Sequence, residues 1–495
     1  MLFQNLVFLY LIYQIFNKVN SCMINKIKFK KVIFLLPGPY IYEDRCQTYI
    51  KNSSLFSYRE PIEEMFAAAI LEKKGVLCKI IHAEPERKTA EMIIQEIFNF
   101  KPDIVIISTS YASYIEDLSY TTKIKKISSS IMTVARGGQM MFVNKKKILK
   151  RFISLDMIIY GEIESVLNIL CRKKVLNETP GIIFRAKNRI IETFPLKKLC
   201  DMNELPLPSR HLLKSEIYSS PGNGLPMATI VTSRGCPNTC SFCLAPSVMG
   251  SKFRLRNVDN IILEIQECIN TYNINDFLLY GDTFSLSREW LCNLCQTLST
   301  ELPGIRWVCN ARADTLDNEI VRLMKTAGCW GISIGAESAN LNTLQKINKK
   351  HSVYDIINAV NSCKNNGIIS MLYFLIGFPW ETQNEIKETI RFAIKSQSIV
   401  EIFFPYPFPG TDLYLDALNK GLTNDDCPPK YPQQTPIFVP TGMSHKKLLK
   451  LRMIARLSNL LKIKTALLFF KQCKSFKMQI NTIKNIFSTI FKAYI

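Results

Sequence analysis

Two series of apolar, strand-length segments, each alternating with helical patterns, constrain this chain more than any other feature. In the first series, 31–37, 78–82, 103–110, 131–134 and 156–162 are strand-like apolar runs, and 61–74 and 89–98 repeat with a helical period. Strands that lack polar alternation belong to parallel sheets buried on both faces. Such sheets take ligands at the carboxyl ends of their strands. Those ends carry Pro37-Gly38, Ser108-Thr109-Ser110, Gly137-Gly138 and Gly161-Glu162. Small residues there let a bulky ligand approach the backbone.

The second series places strands at 228–233, 276–280, 306–310, 331–337, 370–376 and 399–405. Six strand–helix units predict a partial β/α barrel, whose chemistry belongs at the carboxyl ends of its strands. Between the two series, Pro206, Pro208, Pro221 and Pro226, with Gly222 and Gly224, interrupt regular structure. The expected fold is α/β, in five parts. An N-terminal extension (1–30) precedes a doubly wound parallel, flavodoxin-like sheet (31–175). A linker (176–226), a partial (β/α)6 barrel (227–425) and a basic helical C-terminal region (426–495) follow.

Composition narrows the function classes. With 47% hydrophobic and 21% charged residues over 495 positions, the chain can build large cores, and disorder is not the default reading. The net charge of +22 is uneven: residues 442–495 hold twelve Lys or Arg and no Asp or Glu. That tail also carries apolar runs such as Leu467-Leu468-Phe469-Phe470. Basic and bulky apolar residues together fit a membrane-surface helix or helices that pack on a core, and fit a nucleic-acid arm less well. Sixteen cysteines in so long a chain do not form a disulfide scaffold. Thiols scattered through apolar runs, with one tight cluster, fit a reducing cytoplasm. Residues 1–16 are apolar but lack a basic leader and a small-residue cleavage site. Met23 heads an alternative start just before the first strand, so residues 1–22 read as a start artefact or a loose extension.

The tight cluster is Cys236-Pro237-Asn238-Thr239-Cys240-Ser241-Phe242-Cys243, in a loop after a strand. An electron-carrying [4Fe–4S] cluster usually takes four thiolates. Three leave one iron open to a substrate or cofactor. A structural zinc site wants a fourth Cys or His nearby, and the nearest histidine in sequence is His211, on the linker side. Cys292 and Cys295 form a second pair, but on a helical stretch that reads as core.

With the flanking Thr232-Ser233-Arg234-Gly235, this loop resembles the radical S-adenosylmethionine (SAM) superfamily. The resemblance covers residues 31–425 and is closest to the members with an N-terminal cobalamin-binding domain, the methylases and anaerobic cyclases. It implies that Cys236, Cys240 and Cys243 hold three irons of a [4Fe–4S] cluster while SAM chelates the fourth. Reductive cleavage then yields a 5′-deoxyadenosyl radical that abstracts hydrogen from an unactivated carbon. It further implies SAM contacts at Phe242, at Gly281 and Asp282, at Arg312 in Cys309-Asn310-Ala311-Arg312, at Glu337 and Ser338, and at Gly377 in Gly377-Phe378-Pro379. Each polar residue alone could equally be a rim hydrogen bond or a helix cap.

For the first half, the resemblance implies cobalamin held near Ser108, Thr109, Gly137, Gly138, Gly161 and Glu162. The Asp-x-His-x-x-Gly motif that supplies a lower axial ligand is missing, and His82 stands instead in Ile80-Ile81-His82-Ala83-Glu84. Gln139 follows the Gly-Gly pair where the family usually has Pro-His. A domain kept for stability or substrate docking is the alternative. The implied partners are a small-molecule or lipid-like substrate and an electron donor such as flavodoxin or ferredoxin. Peripheral membrane contact through the tail is a further expectation. Two competing functions stay open. One is a methylthiotransferase-like enzyme, which would need three more cluster cysteines in its first domain, where Cys46, Cys78 and Cys171 are scattered. The other is a non-catalytic iron–sulfur or zinc protein on membranes. The aromatic stretch 403–411 reads either as a substrate mouth or as the rigid edge of the last strand.

Overall fold

The computed structural model describes residues 29–38, 41–42, 48–49, 58–423 and 436–460, apart from positions 112, 174, 188, 197–198 and 221–223. The expectations for residues 1–22, for Cys46 and for the tail beyond 460 lie outside the described residues.

The first sheet begins with five parallel strands, β1 (Lys31–Leu36), β2 (Leu77–His82), β3 (Ile104–Ser108), β4 (Met132–Arg136) and β5 (Met157–Ile159). They pair in the order β2-β1-β3-β4-β5, the flavodoxin-like arrangement expected from the alternating pattern. Alternate side chains of β1 enter two separate cores, which is why the strand is apolar without a break. Val32, Phe34 and Leu36 pack with α1 (Ile62–Glu72), whereas Ile33 and Leu35 pack with α2 (Ala90–Phe100). Thr89 caps α2 by accepting from Met92 N, and Lys101 ends it in the left-handed region.

The linker expectation needs one correction. Residues 182–192 are not irregular: β6 (Ile182–Ala186) and β7 (Arg189–Glu192) continue the sheet as an antiparallel hairpin beyond β5. Three apolar residues, Ile182-Ile183-Phe184, are too short for periodicity to separate strand from helix. The fifth strand is also shorter than its apolar run, because Tyr160–Glu162 leave the sheet to enter α3 (Ile163–Lys173).

The second sheet contains β8 (Met227–Arg234), β9 (Arg254–Leu255), β10 (Asp276–Gly281), β11 (Arg306–Ala311), β12 (Cys329–Glu337), β13 (Ile369–Leu375) and β14 (Ile399–Phe403). Its order is β9-β8-β10-β11-β12-β13-β14. All neighbours are parallel except β9, an antiparallel edge on β8. β8 and β14 do not pair, so the barrel is open. Helix α4 (His445–Leu460) packs against its last strand, with Leu448 and Ala455 in the barrel core and Arg452 over the Phe404 ring at 5.2 Å. No helix of the described residues is long and apolar enough to cross a membrane.

Buried charges and aromatic rings join the halves. Arg210, from the linker, donates to Glu264 at 2.7 Å and to the Thr229 carbonyl at 2.7 Å, and lies 3.4 Å from Glu60. Glu264 also accepts from Arg256. Across the same seam Arg254 donates to Glu162 at 2.6 Å. Tyr406 and Phe408 pack on Tyr111 of the first half, at 6.2 and 6.4 Å. Phe404 is buried in the barrel core, and Tyr406 and Phe408 are buried where the two halves meet.

Removing one member of a buried charge set strands its partners, at about 3–5 kcal/mol. Arg210→Met is therefore expected to lower stability to urea by about that amount. Arg288→Ala, which removes an exposed pair with Asp317, is expected to cost less than about 1 kcal/mol in the same assay.

Candidate active site at the cysteine loop

Strand β8 delivers the cysteine loop, and the loop's root is held from both halves of the chain. Gly235 has φ +84°, and a Cβ there would lie 2.2 Å from the Lys252 carbonyl oxygen, so the turn requires glycine. The Gly235 N–H donates to the Asp282 carboxylate at the end of β10, at 2.6 Å. The preceding residue, Arg234, is buried and donates to Glu164 of α3 at 2.6 Å. Gly281 permits the same close approach, since a Cβ there would meet Ser233 Oγ at 2.2 Å.

The three cysteines project from this root. Cys236 is buried, and Cys240 and Cys243 are half-buried. Cys236 Sγ accepts from Thr283 Oγ1 at 3.0 Å and from Asn238 Nδ2 at 3.4 Å. Burial pushes the Cys240 thiol up to about 11, and Lys349 opposes that shift. A thiolate there accordingly needs a cation. Among the described residues, no three or more His, Cys, Asp or Glu form a group suited to a single metal ion. The surroundings do fit an iron–sulfur cluster. Hydrogen-bond donors face one sulfur, cationic Lys349 and Arg312 act on another, and two of the three cysteines keep an accessible side.

Around the loop stand the strand ends singled out in the sequence. Glu337 closes β12 at φ +61°, a conformation that a non-glycine residue holds only when its surroundings fix it. Its carboxylate accepts from Lys349 Nζ at 2.8 Å. Burial alone would lower the Lys349 ammonium, but Glu337 and the Cys240 thiol outweigh it, so the group is held above its ordinary range and stays charged. Gly335 makes room for the pair: a Cβ there would lie 2.6 Å from Glu337 Oε1. Arg312 forms a two-pronged contact with Asp314, at 2.9 and 2.8 Å. Phe242 packs edge-on against Phe378 at 6.4 Å, and Phe378 stacks on Trp380 at 5.0 Å.

Two of the expected residues are engaged inside the protein. Ser338 is fully buried, pairs with Thr389 Oγ1 at 3.2 Å and accepts from Asn340 N at 3.1 Å. Gly377, at φ +95°, donates its N–H to Glu381 at 2.6 Å, and Phe378 N–H donates to the same oxygen at 2.9 Å. Burial pushes the Glu381 carboxyl up to about 7.

A second feature lies between the halves. A cleft is lined by Ser108, Thr109, Gly137 and Gly138 at the carboxyl end of the first sheet, and by Thr229 and Tyr280 of the barrel. Gly161 and Glu162 are not part of its lining. Glu162 is instead bound to Arg254, at 2.6 Å, and to Cys200 N, at 2.8 Å. Cys292 and Cys295 lie on a helix, Arg288–Glu301, with Cys295 buried in the barrel core.

Sequence reasoning missed Lys349, Asn238 and the Arg234–Glu164 contact. Lys349 follows Glu337 by twelve residues around an intervening helix, Leu341–Lys346, and only the fold brings the two together. Arg234 and Glu164 are seventy residues apart.

The family model described as the radical SAM superfamily matches residues 230–393, the span from the root of the cysteine loop past the Gly377 turn. The chain carries a radical SAM domain over residues 230–393. Its sequence is 29% identical over 362 residues to an uncharacterized methyltransferase of Pyrococcus horikoshii, covering 72% of this chain and 78% of that one. It is 26% identical over 375 residues to the anaerobic magnesium-protoporphyrin IX monomethyl ester cyclase of Rubrivivax gelatinosus, covering 72% of this chain and 66% of that one. Its fold is similar to that of the radical SAM methyltransferase TsrM from Kitasatospora setae, solved with cobalamin and a [4Fe–4S] cluster bound. The TM-score is 0.62 at 18% identity, over 79% of this chain and 75% of that one. The chain is thus a radical SAM enzyme with methyltransferase and cyclase relatives.

The Glu381 shift gives this domain a pH signature. A carboxyl whose folded pKa is raised binds its proton more tightly in the folded state. Its stabilising contribution is complete below about 4.5 and is lost as pH rises through about 7. Glu381→Gln keeps an acceptor for the Gly377 and Phe378 N–H groups without the charge. The variant's stability relative to wild type is expected to rise between pH 5 and pH 8, by up to about 3 kcal/mol, in urea titrations at the two pH values.

Proposed function

We propose that this radical SAM enzyme reductively cleaves SAM at a [4Fe–4S] cluster on Cys236, Cys240 and Cys243. In this reading it uses cobalamin in the inter-half cleft to methylate, or oxidatively cyclise or rearrange, an unactivated carbon of a small-molecule substrate. The carrying observation is the cysteine loop, whose root is gripped at once by Asp282 of the barrel and Glu164 of the first half. A site built across that seam draws on both carboxyl edges, as an enzyme with two cofactors requires. In this reading residues 31–175 form the cobalamin-binding unit and 227–425 the radical SAM core.

A cluster held by Cys236, Cys240 and Cys243 would supply an electron to SAM, and cobalamin in the cleft would supply a methyl-carrying or electron-transferring metal. The chain's own residues set the conditions. Thr283 and Asn238 donate hydrogen bonds to the Cys236 sulfur. Lys349, kept charged by Glu337, opposes the burial that pushes the Cys240 thiol up. Glu337, Arg312, Asp282 and Gly281 surround the loop at strand ends, where an amino-acid carboxylate, an amine and a ribose would find charge and hydrogen-bond partners. Half-buried Phe242, packed edge-on against the fully buried Phe378, offers an apolar face suited to an adenine ring. The buried Tyr111, Tyr406 and Phe408 rings keep water out of the seam, which a carbon radical needs. An electron donor of the flavodoxin or ferredoxin type would complete the turnover.

Anaerobically reconstituted protein given dithionite and SAM is expected to form 5′-deoxyadenosine and methionine. Cys240→Ala is expected to lose both cluster iron and product. Absence of 5′-deoxyadenosine from the wild type, or full iron content in Cys240→Ala, would sink the assignment. Thr283→Val is expected to keep the cluster but shift its potential to more negative values, because it removes a hydrogen bond to sulfur. Spectroelectrochemical titration reads that shift.

A further inference from the structure

His82 ends β2 and lines the inter-half cleft beside Ser108, Thr109, Gly137 and Gly138. The residue is 3% exposed. Nδ1 lies 2.9 Å from the Tyr218 hydroxyl, and the two rings stack at 5.9 Å with an interplanar angle of 25°. Nε2, at the other edge of the ring, has no partner. Several other polar side chains of the cleft are already engaged. Ser108 donates to Glu64, Thr109 donates to the Arg136 carbonyl, and Arg136 binds Glu63 and Glu64. Glu60 accepts from Thr229 N at 2.7 Å. A buried polar atom without a partner is rare, and in a cleft its natural partner is the occupant.

The direction of the Tyr218 bond fixes what Nε2 can do. Burial pushes His82 down to about 3, so the ring is neutral and carries one proton. Burial also pushes the Tyr218 phenol up, so it keeps its proton. A phenol is a better donor than an imidazole N–H, and an imidazole nitrogen is a better acceptor than a phenol oxygen. Tyr218 therefore donates to Nδ1, and the ring proton sits on Nε2.

We propose that the Nε2–H of His82 is a binding donor to an oxygen of the cleft's occupant, such as an amide side-chain carbonyl of a corrin ring, and not a metal ligand. The inference rests on the cobalamin reading above. It gives this chain a ligand contact at the end of its second strand, where the sequence alone offered no role for the histidine.

Equilibrium dialysis of hydroxocobalamin against wild type, His82→Phe and His82→Gln tests it. His82→Phe is expected to weaken binding about tenfold, the usual worth of one buried hydrogen bond. His82→Gln, which restores an N–H donor, is expected to recover most of that loss. Equal affinity of wild type and His82→Phe overturns this inference and leaves the cobalamin reading standing. No binding by the wild type overturns both. Two measurements guard against an indirect folding effect. In 15N spectra of the protein without cobalamin, His82 is expected to show a protonated Nε2 and an unprotonated Nδ1, and the reverse tautomer overturns the inference. In the electron paramagnetic resonance spectrum of bound cob(II)alamin, 15N-labelling of the protein is expected to leave the nitrogen splitting unchanged. A changed splitting would make a protein nitrogen, and not the cofactor's own base, the axial ligand, and would also overturn it.

Discussion

The contact between Arg234 and Glu164 governs the molecule. Arg234 is the last residue of β8, and the residue after it turns the chain into the cysteine loop. Its guanidinium is buried, held well above its ordinary range by Glu164 although burial alone would lower it. A buried ion pair of this kind contributes little net stability compared with apolar packing, but it fixes geometry, because neither partner can be left alone. The loop that carries the chemistry therefore takes its position from a helix of the other half.

The same logic runs along the seam. Arg210 and Arg256 both meet buried Glu264 on the barrel helix Val258–Tyr272, and Arg254 meets buried Glu162 of the first half. Aromatic rings from Tyr111, Tyr406 and Phe408 fill the space beside them. The two sheets are thus not independent units on a flexible tether. Their shared boundary is charged where direction matters and aromatic where water must be excluded.

How much of this was legible beforehand depends on range. The parallel strands announced themselves, since β1 sends alternate residues into two cores and is apolar throughout. The hairpin at 182–192 did not, because its apolar run is short and sits among residues that read as a linker. The strand-end motifs were readable because each is local: Gly235, Gly281 and Gly377 mark places where a side chain would collide or the backbone must turn. Their partners were not readable. Nothing in the spacing of Glu337 and Lys349 forecasts a contact, and nothing near Ser338 shows that its hydroxyl points into Thr389.

The sequence by itself determined the chemistry type and the architecture. Three cysteines at fixed spacing after a strand, and two runs of alternating strands and helices, are local patterns that hold wherever they occur. The tertiary structure alone decided which groups meet: Arg234 with Glu164, Glu337 with Lys349, and His82 with Tyr218 at the edge of a cleft. Each of those pairs joins residues from separate elements, 12 to 136 positions apart, and only packing brings them within contact distance.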